Sequence, residues 1–181
     1  INGLVNKVNV GNIRSIVPEL LELNLVRGRG LLCRALMKAQ LASPGFTHIY
    51  AALVAVLNTK RPEPGGLRAT RGHVGVRRGA RRRDKVVATG FAKFLAHLCN
   101  HQVAHELVAL QLLTVLLDDP TDDSVEIAVQ FTKEVGQLLD EVSPRGLLAV
   151  FERFRGILHE GADPRPTPPR DPPRFRVARR D

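Results

Sequence analysis

The sequence has 181 residues, 44% of them hydrophobic, which is enough for a single domain with a core of its own. Aromatic residues make up 4% and Trp is absent, which argues against a surface that stacks nucleic-acid bases. The formal net charge of +9 invites a nucleic-acid partner, so its distribution along the chain matters.

The positive charge lies in two segments. Residues 60–85 carry ten Lys and Arg against two acidic residues, and residues 161–181 carry six Arg against three Asp. The remainder has eleven basic and thirteen acidic residues, so the body of the protein is nearly neutral. If RNA is the partner, the first segment is the arm that contacts it. The candidate contacts are Arg77, Arg78, Arg81, Arg82 and Arg83.

The first half of the chain shows apolar residues at helical spacing. We expect Pro18 to kink or locally break the first of these helices. A second helix should end at the breaker Ser43-Pro44-Gly45, and the stretch at 46–58, apolar nearly all round, should be central. The stripe of the first helix comprises Ile13, Ile16, Val17, Leu20 and Leu21.

Helical patterns return at 85–100 and 103–117, after the basic segment. Asp118-Asp119-Pro120 should stop the second of these, and residues 121–124 supply N-cap candidates for the next. Ser143 and Pro144 fit the N-cap and first position of a further helix. The predicted inward stripes are Val125, Ala128, Thr132, Val135 and Leu139, then Leu147, Val150, Phe151, Phe154 and Leu158.

The helices form pairs that recur along the chain. The second helices begin near Phe46, Lys85 and Ser124, a spacing of about 39 residues, close to the period of HEAT-like repeats. No segment shows a convincing strand pattern. We therefore predict an all-α, HEAT-like solenoid of antiparallel helix pairs, with a plain helical bundle as the alternative.

The sequence shows no local signature of an enzyme. Gly28 and Gly30 resemble a phosphate loop only loosely, because no strand precedes them and no Lys-Ser/Thr follows. Asp122 and Asp123 are better explained as helix caps than as an acid–base pair. We expect no catalytic residue, no cofactor and no small-molecule substrate, and a protein that binds other proteins through helix ends and loops.

Three histidines could form a metal site, but the pattern argues against it. His97, His101 and His105 would align on one continuous helix. Asn100-His101 looks like a turn between two helices, so we interpret the histidines as exposed or capping residues. Cys33 and Cys99 are too few for a disulfide framework and suit buried, reduced thiols in a cytosolic or nuclear compartment.

No signal peptide precedes the first helical pattern, and no apolar run reaches the roughly 18 residues of a membrane helix. We therefore expect neither secretion nor a membrane partner. The chain begins at Ile1, within helical sequence, and we expect it to be a fragment that starts inside a domain.

Polar residues cluster around the first helix and turn: Asn2, Asn6, Lys7, Asn9 and Asn12. They could contact a partner. The alternative is ordinary turn and cap chemistry, because Asn competes well for backbone groups at helix ends.

Several long stretches resemble the nucampholin family of spliceosomal factors, in the middle domain of initiation-factor-four-gamma type. They include INGLVNKVNVGNI, VRGRGLL, SPGFTHIYAALVA and PTDDSVE, with SPRG and FERFR near the end. The resemblance covers residues 1–60 and 85–160, about three quarters of the chain. It implies a solenoid of five HEAT pairs, truncated here at its first helix.

The resemblance also implies a function without enzymatic activity. Members of the family bind the DEAD-box RNA helicase of the exon junction complex, hold it open and inactive, and deliver it to the spliceosome. Contacts with RNA would be indirect or weak, and the location would be nuclear, in the spliceosome and nuclear speckles. Carried over to this sequence, the helicase-binding surface includes Gly3, Asn6 and Lys7.

The sequence departs from the family in two places. Within residues 1–160, the segment 61–84 replaces an amphipathic helix with Gly, Pro and Arg, and the tail at 161–181 replaces the last helix. A helix interior loses about 1 kcal/mol per Gly and about 3 kcal/mol per Pro relative to Ala. We hypothesise that both segments are out-of-frame or mispredicted translation of GC-rich coding sequence, with a divergent paralogue as the alternative.

Overall fold

The computed structural model describes residues 1–60 and 85–162, and within those ranges it contains eight α-helices and no strand. A short 3-10 turn, Pro44–Phe46, joins the third helix to the fourth. The helices are α1 Asn2–Lys7, α2 Ile13–Glu22, α3 Leu25–Ala42, α4 Thr47–Lys60, α5 Lys85–Asn100, α6 Glu106–Asp118, α7 Asp122–Val142 and α8 Pro144–Ala162.

The helices stack in two layers. In one layer α2 packs on α4, α4 on α5 and α5 on α7; in the other, α1 packs on α3 and α6 on α8. The second helices of successive pairs begin at Thr47, Lys85 and Asp122, at intervals of 38 and 37 residues. The prediction of an all-α, HEAT-like solenoid is confirmed.

The core consists mainly of Leu, Val, Ile and Ala, as the composition requires. Ile16, Val17 and Leu20 are buried on α2, which confirms its predicted stripe. α4 is the central helix that its sequence predicts, with seven of its fourteen residues buried. The predicted breaks at Ser43-Pro44-Gly45 and Asp118-Asp119-Pro120 also coincide with helix ends.

For Pro18 we predict a kink or a local break, and the break does not occur: α2 runs through this residue without interruption. Proline removes the backbone donor that would reach the carbonyl of Arg14, four residues earlier. Both Pro18 and Arg14 are exposed, so water can satisfy that carbonyl. The hydrogen bond is therefore lost on the solvent side of the helix, while the other side stays packed.

α7 begins with an N-cap from residues 121–124, as the sequence predicts. Thr121 is the N-cap, its hydroxyl accepts from the backbone N–H of Ser124, and the Ser124 hydroxyl accepts from the N–H of Thr121. Asp123 is therefore a first-turn acid rather than the cap, and its carboxylate lies 2.9 Å from Nζ of Lys85. Glu126 lies 2.7 Å from the same nitrogen.

The predicted stripes of the last two helices are only partly buried. On α7 the core residues include Ile127 and Phe131, whereas Val125 and Thr132 lie at half-exposed positions. Leu147 and Val150 of α8 are buried, as predicted. The remaining predicted positions on α8 are half-buried or exposed: Phe154, Phe151 and Leu158.

These half-exposed side chains line an open apolar groove of about 630 Å³ between α7 and α8. Its walls include Val129 and Thr132 from α7 and Phe151, Ile157 and Leu158 from α8. We call it the α7–α8 groove. The tail that we predict in place of the last family helix, residues 161–181, lies almost entirely outside the described part of the chain, which ends at residue 162.

No single helix in the described ranges is long and apolar enough to cross a membrane. α3 and α4 meet the length and composition test only as a pair, across a bend of 120°, a result that core helices also give.

Candidate protein-binding site

The turn between α1 and α2 is closed by two asparagines. The backbone N–H of Asn9 donates to Oδ1 of Asn12 at 2.7 Å, and the N–H of Asn12 donates to Oδ1 of Asn9 at 2.9 Å. Nδ2 of Asn12 also donates to the carbonyl of Lys7 at 2.6 Å. Turn chemistry thus explains Asn9 and Asn12, as the alternative interpretation predicts.

One face of α1 anchors the helix to the body of the protein. Val5 is fully buried, and Ile1 and Leu4 pack at the edge of the core. A Cβ atom at Gly28 of α3 would lie only 3.0 Å from Cδ1 of Ile1, so this glycine lets α1 approach α3 closely. Gly28, which resembles part of a phosphate loop only loosely in the sequence, thus has a packing role in the structure.

The opposite face of α1 carries the three residues that the family resemblance selects. Gly3, Asn6 and Lys7 are all exposed, and their spacing of three and four residues places them side by side on the helix. Open space surrounds Gly3, with nothing within 4 Å of a built Cβ. No other group in the described residues hydrogen-bonds or ion-pairs with the side chain of Asn6 or Lys7.

This face has simple recognition chemistry. Lys7 offers a cation with three donors, Asn6 offers an amide that both donates and accepts, and Gly3 leaves room for a partner backbone. These three side-chain positions are held by a helix whose C-terminal end is fixed by Asn12, so a partner meets a preorganised surface.

The histidines do not converge on a metal. Among the residues described, no group of three or more His, Cys, Asp or Glu could hold a metal ion. α5 ends at Asn100 and His101 lies in the following turn, as the sequence predicts. His105 is the N-cap of α6, and its Nδ1 accepts from the backbone N–H of Leu107 at 3.3 Å.

His97 differs from the exposed or capping role that we predict for it. It is half-buried, and its ring meets that of His48 edge-on at a centroid distance of 6.4 Å. Burial lowers the pKa of His97 below its ordinary value, and the nearby Glu134 opposes that shift.

The two cysteines do not form a disulfide with each other. Cys99 is buried, as predicted, and burial raises the pKa of its thiol to about 12. Cys33 is only half-buried.

One buried polar contact has no signal in the sequence. Gln40 of α3 is fully buried, and its Oε1 accepts from the hydroxyl of Thr47 at 3.4 Å. Gly90 of α5 faces this amide, and a Cβ there would lie 2.6 Å from Cδ2 of Leu41. The missing side chain at Gly90 is what lets α5 pack against α3.

The predicted RNA contacts cannot be placed in this architecture, because the Arg-rich segment 61–84 lies outside the described residues.

Comparison with known protein families identifies the fold. The MIF4G domain model matches residues 1–174. The chain belongs to the MIF4G domain family. This assignment confirms the predicted domain type, since a MIF4G domain is an all-helical, HEAT-like fold.

Curated relatives confirm the predicted resemblance. This MIF4G domain is 61% identical to the pre-mRNA-splicing factor cwc22 of Aspergillus fumigatus over 160 residues, 88% of the chain. It is 57% identical to the pre-mRNA-splicing factor CWC22 homolog of Homo sapiens and to that of Mus musculus, over the same length. The chain spans only 18% of the length of each of these three proteins.

Proposed function

We propose that this MIF4G domain acts in pre-mRNA splicing as a scaffold that binds the DEAD-box RNA helicase of the exon junction complex. In this proposal the domain holds the helicase open and inactive and recruits it to other spliceosome components in the nucleus, including nuclear speckles. Relatives named as splicing factors, 56–61% identical, support the role in splicing.

The observation that carries the helicase proposal is that the polar residues of the N-terminus fall into two groups. The side chains of Asn9 and Asn12 form hydrogen bonds within the turn. Asn6 and Lys7 are exposed on the outer face of the preceding helix, beside the open space at Gly3. Such polar side chains on a rigid helix are available for a partner, and folding alone does not require them.

The mode of action that we propose is binding without chemistry. A scaffold inhibits a helicase if it binds the open form more tightly than the closed form, because a ligand shifts an equilibrium only by its differential affinity. The α1 face would contribute to that difference through directional contacts from Asn6 and Lys7. Neither a cofactor nor a small-molecule substrate has a part in this mechanism.

An ATPase assay tests the proposal. Addition of the chain should lower the RNA-stimulated ATPase rate of the helicase, and Gly3→Leu should relieve that inhibition by blocking the approach of the partner. The open space at Gly3 means that the free variant should fold normally, which circular dichroism can check. An ATPase rate that stays unchanged at saturating concentrations of the chain would refute the proposal.

The ten Lys and Arg of residues 60–85 favour a second candidate, an RNA-binding protein that uses this segment as a basic arm. Such binding would weaken steeply between low and physiological salt, because it releases counterions. Deletion of residues 61–84 should then abolish RNA binding. RNA binding that survives the deletion would exclude the arm, while helicase binding that survives it would support the scaffold.

A further inference from the structure

α3 carries a row of cations on its outer face. Arg27, Arg34 and Lys38 are exposed and lie on one side of the helix with Leu31, at positions i, i+4, i+7 and i+11. The row extends for about 16 Å, or three helical turns. We call these four residues the α3 stripe.

The stripe faces away from the core. The buried side of α3 comprises Leu32, Ala35, Leu36, Ala39 and Gln40. Within the described residues the cations of the stripe have no ion-pair partner, and none of their side chains is in a hydrogen bond. Packing and charge pairing among the described residues therefore leave these three cations unexplained.

The surroundings reinforce the charge. α1 and α3, which pack on each other in the outer layer, contain five Lys and Arg and no acidic residue. The acidic residues of the first 60 positions are Glu19 and Glu22, and both belong to α2. A partner that approaches α3 thus meets cations with no neighbouring acid on the same helix.

The apolar member of the stripe indicates the class of partner. Leu31 is 52% exposed and lies between Arg27 and Arg34. Protein interfaces commonly place an apolar contact inside a polar rim. A phosphate backbone would pair with the cations but would gain nothing from Leu31, and the stripe has no aromatic side chain on which a base could stack.

We propose that the α3 stripe binds an acidic amphipathic helix of a partner protein. The matching helix carries carboxylates opposite Arg27, Arg34 and Lys38 and one apolar side chain against Leu31. The spacing of four, three and four residues is the one that lets two helices pack along their lengths. This inference is independent of the partner that occupies Gly3, Asn6 and Lys7.

A synthetic helical peptide can test the stripe with the full chain. The probe is a labelled helix of about 15 residues, with Glu at three positions and Leu at one, in the spacing of the stripe. A scrambled peptide of the same composition measures attraction by net charge alone, including any attraction to residues 60–85 and 161–181. A uridine oligonucleotide tests the alternative, a phosphate-binding site.

We expect fluorescence anisotropy at physiological salt to show tighter binding of the patterned peptide than of the scrambled one. Arg34→Glu with Lys38→Glu should weaken binding of the patterned peptide about tenfold or more, because each contact turns from attraction to repulsion. Leu31→Gln should weaken binding of the same peptide about threefold or more, because the apolar contact is lost. Lys133→Glu with Arg145→Glu, two exposed charge reversals on α7 and α8, is the matched control and should have little effect.

Two outcomes would overturn the proposal. One is equal binding of the patterned and scrambled peptides, and the other is patterned-peptide binding that the α3 substitutions leave unchanged. If the α3 charge reversals weaken binding of the oligonucleotide only, the stripe is a phosphate-binding surface and the proposed helix partner is wrong.

Discussion

The side-chain amide of Asn12 donates a 2.6 Å hydrogen bond to the backbone carbonyl of Lys7. This carbonyl lies in the last turn of α1, where carbonyls lack partners within the helix. Asn12 thus fixes the backbone of the residue whose side chain we assign to partner binding. This contact ties the end of α1 to the turn that follows it.

Replacement of Asn12 should lower stability. Asn12→Ala removes the two hydrogen bonds of its side chain, and losses of this kind at helix caps cost about 1 kcal/mol. Asn6→Ala should change the free energy of unfolding by less than about 0.5 kcal/mol, because Asn6 is exposed. Urea denaturation of the two variants measures the difference, and equal destabilisation would contradict the assigned roles.

Gly90 should tolerate no branched side chain. Its Cβ position lies 2.6 Å from Cδ2 of Leu41 and 3.3 Å from Nε2 of Gln40, so Gly90→Val should lower the free energy of unfolding by about 1–3 kcal/mol through overpacking. Gly156→Val is the matched control, since nothing lies within 4 Å of its Cβ position. Val has a better helix propensity than Gly, so the control should keep its stability, and a loss equal to that of Gly90→Val would contradict the packing role of Gly90.

His97 should make the protein sensitive to mild acid. Its pKa is lowered in the folded state, so the unfolded chain binds the proton more readily, and stability falls as the pH drops below the ordinary value of 6.5. The charged and titratable groups that face it are Glu134, Lys93, His48 and His101. Unfolding free energies at about pH 5 and about pH 7.5 should differ less in His97→Gln than in the unaltered chain.

The control for this pH dependence is His159→Gln, which removes an exposed histidine of α8. It should leave the difference between the two pH values unchanged. If His97→Gln behaves like His159→Gln, burial of His97 is not a source of acid sensitivity.

The α7–α8 groove should bind hydrophobic dyes. Phe151 and Leu158 are 47% and 72% exposed, and exposed apolar surface of this kind attracts such dyes. Leu158→Lys should reduce the dye fluorescence while it changes the free energy of unfolding by less than about 0.5 kcal/mol. Unaltered fluorescence in the variant would place the apolar surface elsewhere.

The sequence alone predicts most of the helical architecture. Apolar spacing identifies the buried face of α2, and local cap chemistry places the N-cap of α7 within residues 121–124 and the start of α8 at Pro144. Of the two effects predicted for Pro18, a kink or a local break, the break does not occur, because a lost helix donor costs less where its carbonyl faces water. That exposure depends on tertiary packing and is not visible in the local pattern.

The inward face of α7 illustrates a second limit. The helix has apolar residues on two sides: Ile127 and Phe131 face the core, while Val125 and Val129 face the groove. Periodicity shows that both sides are apolar but cannot rank them, since the choice depends on which neighbours are present. The packing of Gly90 against Gln40 and Leu41 likewise arises from contacts between distant segments.

For the candidate site, the sequence predicts the residues only through the family resemblance. Local patterns place Asn6, Lys7, Asn9 and Asn12 in one polar cluster. The structure separates them, because the turn uses Asn9 and Asn12 while Asn6 and Lys7 stay exposed. Asn9 and Asn12 close the turn because they lie three residues apart and reach each other's backbone N–H groups. Composition alone does not show this.

The affinity of the exon-junction helicase for the chain tests the central claim most directly. Asn6→Asp with Lys7→Glu should weaken binding about tenfold or more by titration calorimetry, because the substitutions replace a cation and an amide with two carboxylates. Gln111→Glu with Arg145→Glu makes the same change in net charge at exposed positions on α6 and α8, and should leave the affinity nearly unchanged. Equal affinities of the α1 double variant and the unaltered chain would contradict the account.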